Sequence, residues 1–195
     1  MRKIIRNLVS DFLSVLFSLV LVLSMSGSAS AATRSAKQPP TDSAQYQTWL
    51  TEQVPHKLAM IPWYSVFDNL QFKVEGNTVT LIGQVRRPVI KDEAESAVKH
   101  IESVKAVKNE IEILPPSPFD DRIRRAEYRS IYSFGPLQPY ALGTIPGIHI
   151  IVRNGDVTLE GIVNSQGDKN SVNVRARLVP GVFSVTNNLR VVKSS

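Results

Sequence analysis

Cysteine is absent from the 195 residues. That excludes a disulfide framework, a thiolate zinc site, a thiol nucleophile and lipid attachment through an N-terminal cysteine. Histidine is scarce: His56, His100 and His149 lie far apart and in none of the short ligand spacings, so no metal site is expected. No G-x-S-x-G elbow, P-loop or dinucleotide fingerprint occurs, so neither a nucleophile nor a cofactor is expected. Asp92, Glu93 and Glu95 are close together, but the residues after them follow a helical pattern. They read as a solvated helix start, where negative charge suits the helix dipole, and not as a general acid and base. A non-enzymatic protein is the expectation.

What is present is an ordinary globular balance, 43% hydrophobic and 21% charged residues. Arg2, Lys3 and Arg6 precede an apolar stretch from Phe12 to Met25, and Ala29-Ser30-Ala31 offers an A-x-A cleavage site. Residues 1–31 therefore read as a secretory signal peptide, with an uncleaved anchor as the alternative. Either way the remainder is expected outside the cytoplasm, in the periplasm. Residues 32–44, small and polar with a Pro-Pro pair, read as a flexible linker. The formal net charge is +6, and removing 1–31, with three basic residues and Asp11, leaves +4. A mildly basic protein favours anionic lipid or acidic polymers, and export makes nucleic acid the least suitable partner.

The rest of the chain matches itself after a shift of 78 positions. Val79-Thr80-Leu81 meets Val157-Thr158-Leu159, Gly83 meets Gly161, and Val104, Val107, Asn109, Ile111 and Ile113 meet Val182, Val185, Asn187, Leu189 and Val191. Period-two runs on either side of Gly76-Asn77 and Asn154-Gly155 predict a β-hairpin in each copy. Ala94, Ala97, Val98, Ile101 and Val104 then lay one apolar stripe along a helix starting near Lys91, echoed by Val172, Ala176, Val179 and Val182. A returning strand follows, at 107–114 and 185–192, which a right-handed crossover makes parallel to the strand before it. A further helix precedes each hairpin. The first spans about Tyr46 to Met60, shortened or kinked by Pro55; the second starts at Ser117-Pro118 and buries Ile123, Ala126, Ile131 and Tyr128. The fold class is α+β, two tandem α-β-β-α-β modules at 45–115 and 116–193, each a three-stranded mixed sheet packed against two helices.

This order resembles the BON family, named for bacterial osmotically inducible and nodulation proteins. The residues that carry it are V-T-L-x-G at 79–83 and 157–161 and V-x-x-V-x-N at 104–109 and 182–187, with Gly181 completing the second copy's pattern and Ser103 departing from it in the first. The resemblance covers nearly all of 45–193. It implies a periplasmic or envelope location, a non-catalytic role, and association with phospholipid or the outer membrane, and it supplies no catalytic residues.

Charge is uneven between the copies. Residues 45–115 hold eight Lys and Arg against nine Asp and Glu, and residues 116–195 hold ten against six. The second copy is therefore the candidate contact surface for anionic phospholipid or the outer membrane. Arg122, Arg125 and Arg129 fall on one side of its first helix with Arg124 nearby, and Arg175 and Arg177 lie on its second. The alternative is an ordinary solvated face, partly neutralised by Asp121 and Glu127. Two long connections, 61–67 and 133–147, add Trp63, Tyr64, Phe67 and Tyr140 as anchors for a lipid interface or a protein groove, or as residues buried between modules. An envelope protein, bound through aromatic loops and sheet edges in a chaperone-like manner, is the alternative partner. His149, within an apolar strand, reads as a packed or rim histidine.

Overall fold

The computed structural model describes residues 43–143 and 145–192; the expected signal peptide lies outside the described residues. Copy 1 runs α1 (Ser43–Ala59), β1 (Asn69–Glu75), β2 (Thr78–Val85), α2 (Pro88–Lys99) and β3 (Ala106–Ile113). Copy 2 runs α3 (Pro118–Tyr132), a 3-10 helix (Gly135–Ala141), β4 (Ile148–Arg153), β5 (Asp156–Val163), α4 (Gln166–Arg177), β6 (Ser184–Asn187) and β7 (Arg190–Val191). In both copies the hairpin is antiparallel and the last strand pairs parallel to the second, in the same register: Val79 lies between Val74 and Val107, and Val157 between Val152 and Val185. In copy 2 the returning strand is broken at Asn188–Leu189, so β6 and β7 each pair with a different part of β5. Among the described residues no helix is long and apolar enough to cross a membrane.

The boundaries move for physical reasons. α1 takes in Ser43 and Ala44 and runs past Pro55, which sits inside it. α2 begins at Pro88, not near Lys91, because a proline suits the first helical position, where its missing N–H is not needed. Asp92 and Glu93 are thus beyond the first turn. Glu95 instead accepts from Lys99 Nζ at 2.5 Å and from Asn109 Nδ2 at 3.0 Å. Ser117 caps α3 through the Asp120 N–H, and Ser165 caps α4 through the Asp168 N–H.

The repeated motif residues turn out to be structural joints. Gly83 and Gly161 lie at φ 124° and 120°. There a Cβ would stand 2.1 Å from the Asn69 carbonyl oxygen and 2.3 Å from that of Gly147. The first strand of each hairpin therefore enters across a backbone where only glycine fits. Asn109 and Asn187 donate to the carbonyls of Lys91 and Lys169, both at 3.0 Å, and each accepts from the amide two residues on. One amide side chain pins the returning strand to the crossover helix, with the same partners 78 positions apart.

Each copy has its own apolar core. Leu50, Val79, Leu81, Ile90, Val98 and Ile111 centre the first, and Ile131, Leu137, Ile148, Ile150, Leu159 and Val172 the second. The second also includes Val66, from the α1–β1 connection of copy 1, with Phe67 packed against it. The Ile150 amide donates to the Val66 carbonyl at 2.8 Å. The connection is held in shape by buried Asp68, whose carboxylate accepts from the Ser65 amide and hydroxyl and from the Arg86 amide. Tyr64 lies against the His149 ring, with 5.6 Å between centroids, and Phe67 meets Tyr128 edge-on. Arg86 pairs with Asp121, and Arg153 with Glu112. The two copies are packed together.

Gly83→Ala and Gly161→Ala should each lower stability in urea unfolding by about 2–4 kcal/mol, from backbone strain together with the steric clash. Gly135→Ala, where a Cβ meets nothing within 4 Å, should stay within about 0.5 kcal/mol of the parent.

Candidate functional site

The buried stripe of α3 is partly polar. Asp120, Ile123, Arg124, Glu127, Ile131 and Tyr132 face inward, while Tyr128 stays 42% exposed. The polar members serve the edge of β4. Asp120 accepts from the Asn154 and Gly155 amides at 3.0 and 2.9 Å, which holds the hairpin turn with both residues at positive φ. Arg124, 3% exposed, donates to the Val152 carbonyl and pairs with Asp121 at 2.8 Å. Tyr132 donates to the Ile148 carbonyl at 2.7 Å. Arg124 is therefore removed from the candidate surface: its buried guanidinium is taken up by the Val152 carbonyl and the Asp121 carboxylate. Glu127 is fully buried and neither carboxylate oxygen has a partner, so it does not neutralise the exposed arginines. Burial pushes its carboxyl up to about 8.

The outer side of α3 is another matter. Arg122, Arg125 and Arg129 are exposed and line one open groove of about 410 Å³ with Phe119, Ile123, Ala126 and Pro180. Arg122 lies over the Phe119 ring at 5.7 Å, and Phe119 lies 6.0 Å from Phe183. Phe183 is 75% exposed and borders a second hollow with Arg177. Gly155 makes room for this pair, since a Cβ there would come within 2.6 Å of the Phe183 ring and 3.2 Å of Phe119. A basic strip with two aromatic rings at one end is the result.

The remaining candidates are dispersed. Arg175 lies over the Phe134 ring at 4.3 Å and is half-buried. Tyr140 is buried inside copy 2: its hydroxyl donates to Asp168 and accepts from the Asn164 amide, each at 2.8 Å, so it is a structural clamp and no surface anchor. Within the connection after α3, Gly135–Ala141 folds as a 3-10 cover over the core, with Leu137 and Tyr140 inward. Trp63 is 68% exposed on copy 1, at φ 68°, with Arg87 5.1 Å above its ring. It takes no part in the groove of copy 2. Of the three predicted anchors in the first connection, Tyr64 and Phe67 sit at the junction between copies. Phe119 and Phe183 were not singled out from sequence. The available signal was a phenylalanine directly behind a helix-opening proline, and another in the short loop before the last strand.

The described residues thus form a tandem pair of small α+β modules with a basic strip on the surface of the second. The BON domain model matches residues 47–115 and 140–193, and the chain belongs to that family. Domains of this family are generally non-catalytic and bind, and the proteins that carry them are typically of the envelope or periplasm. Among solved structures the chain is similar to CdsD, a structural protein of the type III secretion system of Chlamydia trachomatis, at 14% identity and a TM-score of 0.31, covering 74% of this chain and 93% of that one. A structure of the C-terminal domain of CdsD gives 14% identity and a TM-score of 0.30, with 74% and 98% covered. A likeness of that size carries no argument about partners. No curated protein matches the chain.

Glu127 yields a prediction about pH. Its folded value near 8 lies above the unfolded value of 4.5, so the native state holds the proton more tightly and stability falls as pH rises from about 4.5 to about 8. Glu127→Gln should therefore stabilise the protein above pH 8 by an amount of order 3 kcal/mol and change little at pH 5, read from thermal melts across pH. A melt difference that does not vary with pH would show that the carboxyl is not held protonated.

Proposed function

We propose that this is an exported, periplasmic BON protein, non-enzymatic, that binds anionic phospholipid or the inner face of the outer membrane through copy 2 and so supports envelope integrity or stress tolerance. The observation that carries the reading is the convergence of Arg122, Arg125 and Arg129 on one groove that ends in the exposed Phe119–Phe183 pair. Such a strip suits a membrane surface in two ways. Guanidinium groups attract anionic head groups at about 1 kcal/mol each near the surface. Aromatic rings at the edge of the strip favour the zone between head groups and acyl chains. Arg177, bordering Phe183, extends the charge past the rings.

The test is sedimentation of the purified protein, lacking residues 1–31, with neutral and with anionic liposomes at low and high salt. Binding should require anionic lipid and weaken as salt rises. Changing Arg122, Arg125 and Arg129 together to Gln should lower it at least tenfold, and Phe183→Ser should lower it several-fold, with melting temperatures close to the parent's. No binding to any liposome, or binding unchanged in the triple variant, overturns the membrane reading.

A further inference from the structure

The two copies are alike in sequence at the first strand of the hairpin but differ in what happens to its free edge. In copy 2 that edge belongs to β4, where Ile148, Ile150 and Val152 are fully buried. Its outward Ile150 amide donates to Val66, and its Ile148 and Val152 carbonyls accept from Tyr132 and Arg124. In copy 1 the equivalent residues, 78 positions earlier, are Leu70, Phe72 and Val74, and all three are partly exposed. The Leu70 amide donates to the Tyr64 hydroxyl at 3.3 Å, which shows that 70, 72 and 74 point their backbone groups away from β2. Among the described residues, no partner takes the amides or carbonyls of Phe72 and Val74 on that side. An unpaired strand edge is a template for another strand.

A cleft of about 610 Å³ opens beside this edge. Residues 69–72 form one wall, and Glu160, Gly161, Ile162, Asn188 and Arg190 of copy 2 form the other. Glu160 accepts from Asn188 Nδ2 at 2.7 Å and lies 3.5 Å from Gln71 Nε2, so donors and acceptors alternate across the cleft. His149, 7% exposed, also lines it and has an unpartnered Nδ1. Glu160 and Arg190 carry opposite charge, so a free anion would meet the carboxylate and a cation the guanidinium. A wholly apolar occupant would leave these groups without partners. The occupant that suits both the edge and the wall is a neutral polypeptide segment in extended form. Its main chain satisfies Phe72 and Val74, and its side chains alternate between apolar, beside Phe72, and polar uncharged, beside Gln71 and Glu160.

We infer that β1 is an accepting edge for an extended segment of a partner polypeptide, which adds as a fourth strand to the sheet of copy 1 in the cleft between the copies. This site is separate from the arginine groove.

The experiment uses the chain lacking residues 1–31, 15N-labelled, with a capped six-residue peptide of alternating valine and threonine as probe. In the free protein the Phe72 and Val74 amides should exchange with deuterium at least 100-fold faster than that of Ile150. The peptide should shift the amide signals of 70–74 and slow the exchange of Phe72 and Val74. The same peptide, N-methylated on alternate residues, should bind at least tenfold more weakly. Val74→Pro removes an outward amide, at the kind of edge position where proline is tolerated, and should have a similar effect. The N-methylated probe keeps the test decisive if that variant folds poorly. Slow exchange at Phe72 and Val74 in the free protein, equal binding of the two peptides, or binding of neither overturns the proposal. So does perturbation of 70–74 by a neutral oligosaccharide in place of the peptide, or edge occupation by self-association seen in light scattering. Because neither probe carries charge or lipid, these outcomes are independent of the liposome result.

Discussion

Everything in this fold follows from one crossing, repeated twice. At Gly83 and again at Gly161 the chain has to pass a carbonyl of the neighbouring strand closer than any Cβ permits. That contact sets where the first strand enters the hairpin, and so where the preceding connection must end. In copy 1 the connection ends in the Ser65–Asp68 turn, and in copy 2 it ends at Gly147. With the hairpin fixed, the parallel return of β3 and of β6 leaves one register that keeps Val107 and Val185 inside, and the asparagines two residues on lock it to the helix.

Much of this was legible in sequence because it rests on local periodicity. A glycine two residues after a valine-threonine-leucine run, and a period-two pattern broken by Asn154-Gly155, need no tertiary information to be read as a hairpin. The arginines of α3 were legible only in part. Spacings of three and four correctly describe the buried stripe Asp120, Ile123, Arg124, Glu127 and Ile131, but three of those five residue types are normally outside, so residue type pointed the wrong way. Arg124 and Asp120 are inside because backbone groups of β4 and its turn need partners there, and that demand comes from a strand some thirty residues distant. The Phe119–Phe183 pair is likewise a product of tertiary packing, made possible by Gly155, which the sequence marks only as a turn residue.

The copies also show how a duplication diverges without changing its fold. Arg124 and Tyr132 of α3 donate to carbonyls of β4. On α1, Tyr46 sends its hydroxyl to the Glu102 carbonyl at 3.4 Å. The same helix in copy 2, having committed its inner face to the strand, carries its exposed charge on the outer face, where the groove is.

The Val66 contact gives the pair a different kind of unity. A residue from the first copy completes the core of the second and holds its edge strand through Ile150, so the boundary drawn by repetition at residue 115 is not where the molecule could be cut. The second copy, taken alone, would begin with a hole in its interior and an uncovered strand. Whatever process reshuffles such modules between proteins, the piece of this one that can be lifted out and still be whole is the doublet.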